Sequence, residues 1–274
     1  MEPTVWIWGL LACAVISGFY RKTLLTAVLV TLGLFAAVFQ ERLSIIAIGG
    51  IAIGFLVAYF TAKQEGKWRY AGLSFMLIWS LALFAHAIPG FDNLQVLDKV
   101  YASLDSTPFT MYLNLDKPLV FFGLLLAYPA LLGSNKTCNV KALALVVMGC
   151  LSLLPIAAGL GALKFSFSTP HWLWLFVLNN LLFTCVAEEA LFRGFIQQGL
   201  SKRFGWVIGL VVASLLFGFA HIAGGMLLVM FAGLAGLCYG LAFYLTGRLW
   251  VAVLVHFMFN LTHLIFFTYP MLAK

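Results

Sequence analysis

The sequence predicts an all-α protein, a polytopic bundle of about ten transmembrane helices. Hydrophobic residues make up 64% of the 274 positions and charged residues only 9%. A soluble globular domain carries about 25% charge, so this composition indicates a chain whose surface faces lipid. The longest polar stretch, residues 92–117, has only 26 residues, which leaves no room for a separate soluble domain.

Ten apolar runs, each close to the ~17–25 residues that cross a hydrocarbon core, define the predicted helices. The first run is not a cleavable signal, because the residues before it lack the positive charge that a secretory signal carries. The fifth run is the shortest and is interrupted by Pro129. The predicted helices cover residues 4–20, 23–40, 43–62, 70–90, 118–133, 142–163, 171–192, 205–222, 224–246 and 249–269.

The basic residues predict the orientation of the chain. If the N-terminus is outside and the helices alternate, 11 Lys and Arg residues face the cytoplasm and 5 face out. This asymmetry follows the positive-inside rule, so the net charge of +7 reflects topology and we expect no nucleic-acid partner. We expect a multi-pass integral protein of the lipid bilayer, in the cytoplasmic membrane if the source is bacterial. Residues 92–117 would lie outside and form a partly ordered cap or a partner surface.

The five cysteines are scattered and include no Cys-x-x-Cys spacing, so neither a disulfide framework nor a thiolate metal site is expected. The chain divides near residue 140. Residues 1–140 form an N-terminal transmembrane extension of unknown role, in which His86 is expected to be buried and structural. Residues 141–274 concentrate polar side chains at helix positions and are the predicted catalytic core.

Two adjacent acids stand out in the seventh helix. Glu188 and Glu189 are the only acidic residues after Asp116. A carboxylate at bilayer depth costs at least a few kcal/mol, so the pair predicts a functional site. Glu189 and Arg193 are four apart and are expected to form an ion pair. Glu188 points about 100° away and would stay available as a general base, on a polar stripe with Asn180 and Thr184.

Two further helices carry histidines at helical spacing. Phe217 and His221 are four apart in the eighth helix, and His256, Asn260 and His263 share a stripe in the tenth. On straight helices, the polar groups would lie ~12–24 Å inside the bilayer if the seventh helix continues to Lys202. They could then meet in one cavity. Taken singly, each residue has a structural explanation, such as an Asn that joins two helices, but their conjunction favours a site.

Three motifs in this order and spacing resemble the signature of the CPBP family of CAAX prenyl proteases and bacteriocin-processing or self-immunity (Abi-like) proteins. The resemblance covers about residues 142–270. The motifs are Glu188-Glu189-x-x-x-Arg193, Phe217-x-x-x-His221 and His256-x-x-x-Asn260.

The resemblance implies an intramembrane endopeptidase with a membrane-embedded or membrane-anchored substrate. In that family the residues matching Glu188 and His221 activate a water, and those matching His256 and Asn260 hold the oxyanion. Glu189, Arg193 and Phe217 would support them. The zincin motif His-Glu-x-x-His is absent. No cofactor is firmly expected, although Glu188, His221 and His256 could supply three ligands to a zinc ion.

Two other classes of function stay open. Buried Glu and His residues also mark the proton or ion relay of a transporter or channel. Against this interpretation, the acids are few and no pair of broken helices indicates an inverted repeat. A non-catalytic scaffold is less favoured, because every motif residue is intact.

Overall fold

A computed structural model describes residues 2–273 and their side chains, except the side chain of Pro3. Within this range the chain forms ten helices and one two-stranded sheet, which confirms the predicted all-α bundle. In chain order the elements are α1 (Trp6–Phe19), α2 (Thr23–Phe39), α3 (Ile45–Lys63), α4 (Gly66–Phe84), β1 (Leu94–Val100), β2 (Phe109–Leu113), α5 (Asp116–Ala127), α6 (Val140–Gly159), α7 (Leu173–Phe204), α8 (Trp206–Phe219), α9 (Met226–Thr246) and α10 (Leu249–Phe266).

Five of the described helices, α3, α6, α7, α9 and α10, are long and apolar enough to cross a membrane. Three more, α1, α2 and α8, are apolar but have only 14–17 residues. Large hydrophobic side chains also cover the surface, with Leu24 78% exposed and Ile45 80% exposed. Exposing such an apolar surface to water is unfavourable, whereas exposing it to lipid is not. This chain is therefore an integral membrane protein.

The predicted fifth span, residues 118–133, is wrong in length. Helix α5 has 12 residues, about 18 Å, which is well short of a ~30 Å hydrocarbon core. It ends at Ala127, because the residue before a proline disfavours helical geometry and Pro129 follows Tyr128. Most of its side chains are buried in protein, so its apolar character comes from packing rather than from contact with lipid.

The loop between α4 and α5 is partly ordered, since β1 and β2 pair within it. His86 lies at its start and is exposed, not buried as predicted, because α4 ends at Phe84, six residues before the predicted end. Its backbone has φ +52°, and its Nδ1 lies 2.5 Å from Oδ2 of the buried Asp116. His86 therefore connects the C-terminal end of α4 to the first residue of α5.

Packing divides the described chain into two compact units. The first comprises the chain up to Val96, Tyr112–Leu132 and Leu182–Leu191, and the second comprises Leu97–Met111, Gly133–Leu181 and the chain from Phe192 onward. The units interleave along the sequence. The predicted boundary near residue 140, between an extension and a catalytic core, stays a prediction.

Glycines set the helix spacing in the first unit. A Cβ on Gly54 of α3 would come within 2.2 Å of the Trp79 ring, and one on Gly123 of α5 within 2.6 Å of the same ring. The Trp79 indole donates to the Gly50 carbonyl over 3.0 Å. In lipid the hydrophobic effect does not drive helices together. They associate instead through small residues that let their backbones approach closely.

Glycines also set the spacing of α8 and α9 in the second unit. A Cβ on Gly218 would come within 2.7 Å of the Val229 carbonyl oxygen. One on Gly236 would come within 3.0 Å of an Arg193 nitrogen and 3.2 Å of the Phe217 ring. These two glycines bring the backbones and the motif side chains of this unit close together.

Candidate active site

Helix α7 carries the first motif and is not a regular α-helix. It continues to Phe204, twelve residues beyond the predicted end at residue 192, so the condition that it reaches Lys202 is met. It has π-helical turns at Asn180–Cys185 and Ala190–Gln197, with only the four α-helical residues Val186–Glu189 between them. A π turn bonds residue i to i+5 and changes side-chain directions, so the assumption of a straight α-helix is wrong here. Such turns often accompany functional sites.

The two glutamates differ in exposure. Both belong to the first unit, where their short helical segment packs against α5. Glu189 is 0% exposed, whereas the Glu188 side chain is partly exposed. A fully buried carboxylate must be compensated by polar partners. Glu188 is therefore the carboxylate of the pair that a substrate or a water can reach.

Arg193 belongs to the second unit and is also 0% exposed. One guanidinium nitrogen donates to the Gly236 carbonyl over 3.0 Å. The guanidinium carbon lies 4.4 Å from the centroid of Phe217 and 5.2 Å from that of Tyr239, both within the range of a cation–π contact. These contacts fix the guanidinium in one place. The predicted ion pair of Arg193 with Glu189 stays a prediction.

His221 lies just beyond the end of α8 rather than inside the predicted eighth helix, because α8 ends at Phe219. Its ring lies 4.8 Å from the ring of Phe217, and its Nδ1 is 2.8 Å from the Phe217 carbonyl oxygen. A carbonyl can only accept, so Nδ1 must carry the proton. In the neutral imidazole, Nε2 is then the nitrogen with a lone pair.

His256 of α10 is held between two aromatic rings. Its imidazole stacks on Tyr239 at 4.4 Å with an interplanar angle of 14°, and it meets Phe217 at 5.6 Å and 87°. The side chain is 4% exposed. Because Phe217 touches both His221 and His256, its ring orders these two motif histidines.

Asn260 follows one turn after His256. Its Nδ2 donates to Oδ1 of Asn180 over 3.2 Å, which fixes the orientation of the Asn260 amide. His263, which shares the predicted stripe, instead places Nε2 3.1 Å from the Thr268 carbonyl oxygen. It ties the end of α10 to the segment that follows.

The second unit thus gathers Phe217, His221, His256 and Arg193 around shared rings and joins Asn260 to Asn180. The meeting of this group with Glu188 stays a prediction. Sequence reasoning did not anticipate Tyr239 as the platform for His256. Its signal was weak, since Tyr239 is one of two tyrosines in the otherwise apolar α9 and nothing in the sequence distinguishes it from Tyr244. Asn180 was placed on a polar stripe, but not as the partner of Asn260.

Among residues 2–273, no group of three or more His, Cys, Asp or Glu side chains has the arrangement of a metal site. Of the three predicted zinc ligands, His221 has its ring orientation set by the hydrogen bond to Phe217, and its Nε2 could bind either a water or an ion. The zinc alternative stays a prediction for experiment.

Residues 170–262 match the family model described as type II CAAX prenyl endopeptidase Rce1-like. The matched segment is 93 of the 274 residues and contains all three motifs. It confirms the predicted resemblance to the CPBP family over a shorter range than residues 142–270. No curated protein and no solved structure matches the chain.

Proposed function

We propose that this chain, in which residues 170–262 are of the Rce1-like type II CAAX prenyl endopeptidase family, hydrolyses a peptide bond near the membrane with a water activated by Glu188 and His221. The observation that carries the proposal is the hydrogen bond between His221 Nδ1 and the Phe217 carbonyl. It leaves Nε2 as the basic nitrogen, which is the form required to orient a water or to take a proton from it.

Glu188 supplies the second basic group. It is the partly exposed member of the acidic pair, while Glu189 is fully buried. In the proposed step, the water oxygen attacks the scissile carbonyl carbon while Glu188 accepts a proton from that water. The proton then passes to the leaving amine, so the carboxylate returns to its starting state.

His256 and Asn260 are the proposed oxyanion donors. Donors stabilise a developing negative charge best when they are already oriented before the reaction. The aromatic rings on both sides of His256 restrict its rotation, and the bond to Asn180 sets the face of the Asn260 amide. Arg193 acts indirectly, because its guanidinium packs on the Phe217 and Tyr239 rings that position the histidines.

The substrate is proposed to be a membrane-associated peptide or protein. The matched family is described as a CAAX prenyl endopeptidase, which makes a prenylated CAAX peptide the first substrate to test. The apolar exposed surface and the membrane-spanning helices suit any chain held in the bilayer by a lipid or an apolar segment. A transporter or channel is not favoured, because the matched family is one of endopeptidases.

The test uses the purified full chain in proteoliposomes and a synthetic S-farnesylated CAAX peptide, with mass spectrometry of the released C-terminal tripeptide. We expect Glu188→Gln and His221→Gln each to lower the rate by at least about 100-fold, the usual contribution of a general base. Glu65→Gln, the same change at an exposed glutamate before α4, is the control and should leave the rate unchanged.

If the farnesylated peptide is not cleaved by wild type, the same variants are compared in cells by sequencing the termini of membrane proteins. Termini produced by wild type but not by Glu188→Gln would keep the protease proposal with another substrate. Identical termini in both would refute it. Metal analysis of the active protein decides the catalytic type. Stoichiometric zinc whose removal stops turnover would replace Glu188 by the metal as the group that activates the water.

A further inference from the structure

A cavity opens in the second unit, and neither His221 nor His256 lines it. It has a volume of about 260 Å³ and lies between the loop after α5, the last turns of α7 and the end of α9. Its polar lining comes from Ser134, Lys136, Gln197, Gln198, Ser201 and Lys202.

Two lysines give this cavity a positive charge. Lys136 Nζ lies 3.4 Å from the Tyr244 carbonyl oxygen and 5.0 Å from the centre of the Tyr244 ring. Lys202 lines the cavity from α7, and no acidic side chain is among the described residues that line it. Each ammonium group carries three N–H donors, so the pair can bind an anion without displacing the contact that holds Lys136.

Gln197 adds a second requirement, a hydrogen-bond donor on the ligand. Its side chain is 3% exposed, and its Nε2 donates to the Gly240 carbonyl over 3.0 Å, which fixes which end of the amide is the oxygen. No group among the described residues donates to Oε1. A buried acceptor left without a donor costs free energy. A ligand that fits this cavity should therefore bring a hydroxyl or amine donor as well as a negative charge.

The position of the cavity indicates where such a ligand comes from. It lies where α7 and α9 end and α8 and α10 begin. Trp206, the first residue of α8, stacks on Tyr244 at 4.4 Å and 18°. Tryptophan, tyrosine and lysine at the ends of apolar helices mark the level of the lipid headgroups, which makes a membrane lipid the nearest source of an anion.

We propose that this cavity binds the headgroup of an anionic phospholipid that carries a free hydroxyl, of which phosphatidylglycerol is the simplest. The phosphate pairs with Lys136 and Lys202, and a glycerol hydroxyl donates to Gln197 Oε1. Phosphatidylcholine offers neither a net charge nor a hydroxyl. The volume is below the 300–1,000 Å³ of a drug-sized pocket, so it suits a headgroup while the acyl chains remain in the bilayer.

The test measures binding, which is independent of peptidase activity. The full chain in nonionic detergent is titrated with dihexanoyl phosphatidylglycerol, phosphatidylethanol or phosphatidylcholine, and also with inorganic phosphate. Affinity is read from the shift of the thermal unfolding midpoint. Phosphatidylethanol carries the same phosphodiester without the hydroxyls. We expect phosphatidylglycerol to bind more tightly than phosphatidylethanol, and phosphatidylcholine and inorganic phosphate to give no shift.

The variants separate the two parts of the site. At about 1 kcal/mol for each lysine near a membrane surface, Lys136→Gln with Lys202→Gln should weaken phosphatidylglycerol binding about 30-fold. Lys141→Gln, an exposed lysine on α6 outside the cavity, should change nothing. Gln197→Met should bind both anionic lipids equally well.

Four results would overturn the proposal. The first is an equal shift with phosphatidylglycerol and phosphatidylcholine. The second is a double lysine variant that binds like Lys141→Gln. The third is stabilisation by inorganic phosphate that matches the effect of the lipid, which would assign the site to a soluble anion. The fourth is an equal shift with phosphatidylglycerol and phosphatidylethanol, which would exclude the proposed hydroxyl contact with Gln197.

Discussion

A single ring, Phe217, contacts three motif side chains of the second unit. It lies 4.4 Å from the Arg193 guanidinium, 4.8 Å from the His221 ring and 5.6 Å from the His256 ring. Its own carbonyl accepts from His221. Phe217 thus sets the tautomer of His221 through its carbonyl and the ring orientation of His256 through its side chain. The Arg193 guanidinium packs on the same Phe217 ring.

At this scale we predict that Arg193→Ala destabilises the protein strongly. The substitution removes a charged hydrogen bond to Gly236 and cation–π contacts with two buried rings, worth about 3 kcal/mol together. The midpoint of thermal unfolding should fall by about 6–12 °C. The exposed Arg203, ten residues further along α7, is the control, and Arg203→Ala should shift it little. Equal midpoints for the two variants would contradict the buried role of Arg193.

The sequence could predict that these residues matter but not how they meet. Glu188, Glu189 and Arg193 stand out because charge is rare in an apolar run. The stack of His256 on Tyr239 has no such signal, because it depends on how α9 and α10 pack. His86 was misjudged for a related reason. A hydropathy window extended α4 past Phe84, where a backbone φ of +52° ends the helix.

At the scale of the element, the number of helices follows from hydropathy, but their lengths do not. The sequence of helix α5 predicts a membrane span, yet most of its apolar residues are buried in protein. The sequence of helix α7 predicts an ordinary span, yet the helix contains two π turns. Neither burial in protein nor a π turn changes the hydropathy of the segment. Both depend on tertiary contacts, which a periodicity argument does not contain.

Two glycines of α3 provide a matched prediction about helix packing. A Cβ at Gly54 would overlap the Trp79 ring, whereas a Cβ at Gly49 would meet nothing within 4 Å. We expect Gly54→Ala to cost about 1–3 kcal/mol through overpacking. Gly49→Ala should be neutral or stabilise by up to about 1 kcal/mol, since alanine favours the helix. Thermal unfolding in detergent measures both. Similar losses at both positions would show that the α3–α4 spacing does not depend on Gly54.

At the scale of the whole molecule, orientation in the membrane is set by charge rather than by packing. The end of α3 and the N-terminal turn of α4 carry Lys63, Lys67 and Arg69, which the 11-to-5 distribution predicts to face the cytoplasm. The loop that contains β1 and β2 is predicted to lie outside. Helix α4 has 19 residues but is not among the five helices apolar enough to span by composition alone.

The topology prediction therefore rests on whether α4 crosses the bilayer. An epitope tag is inserted at Gln64, before α4, or at Leu104, between β1 and β2, and antibody binding is compared in intact and permeabilised cells. Both positions are exposed. We expect the Leu104 tag to be reached in intact cells and the Gln64 tag only after permeabilisation. A tag at the exposed Thr137, after α5, tests the fifth predicted span: the ten-span prediction groups it with Gln64, whereas an α5 too short to cross leaves it on the side of Leu104. If the tags at Gln64 and Leu104 respond alike, α4 does not cross, and each later loop moves to the opposite side of the membrane.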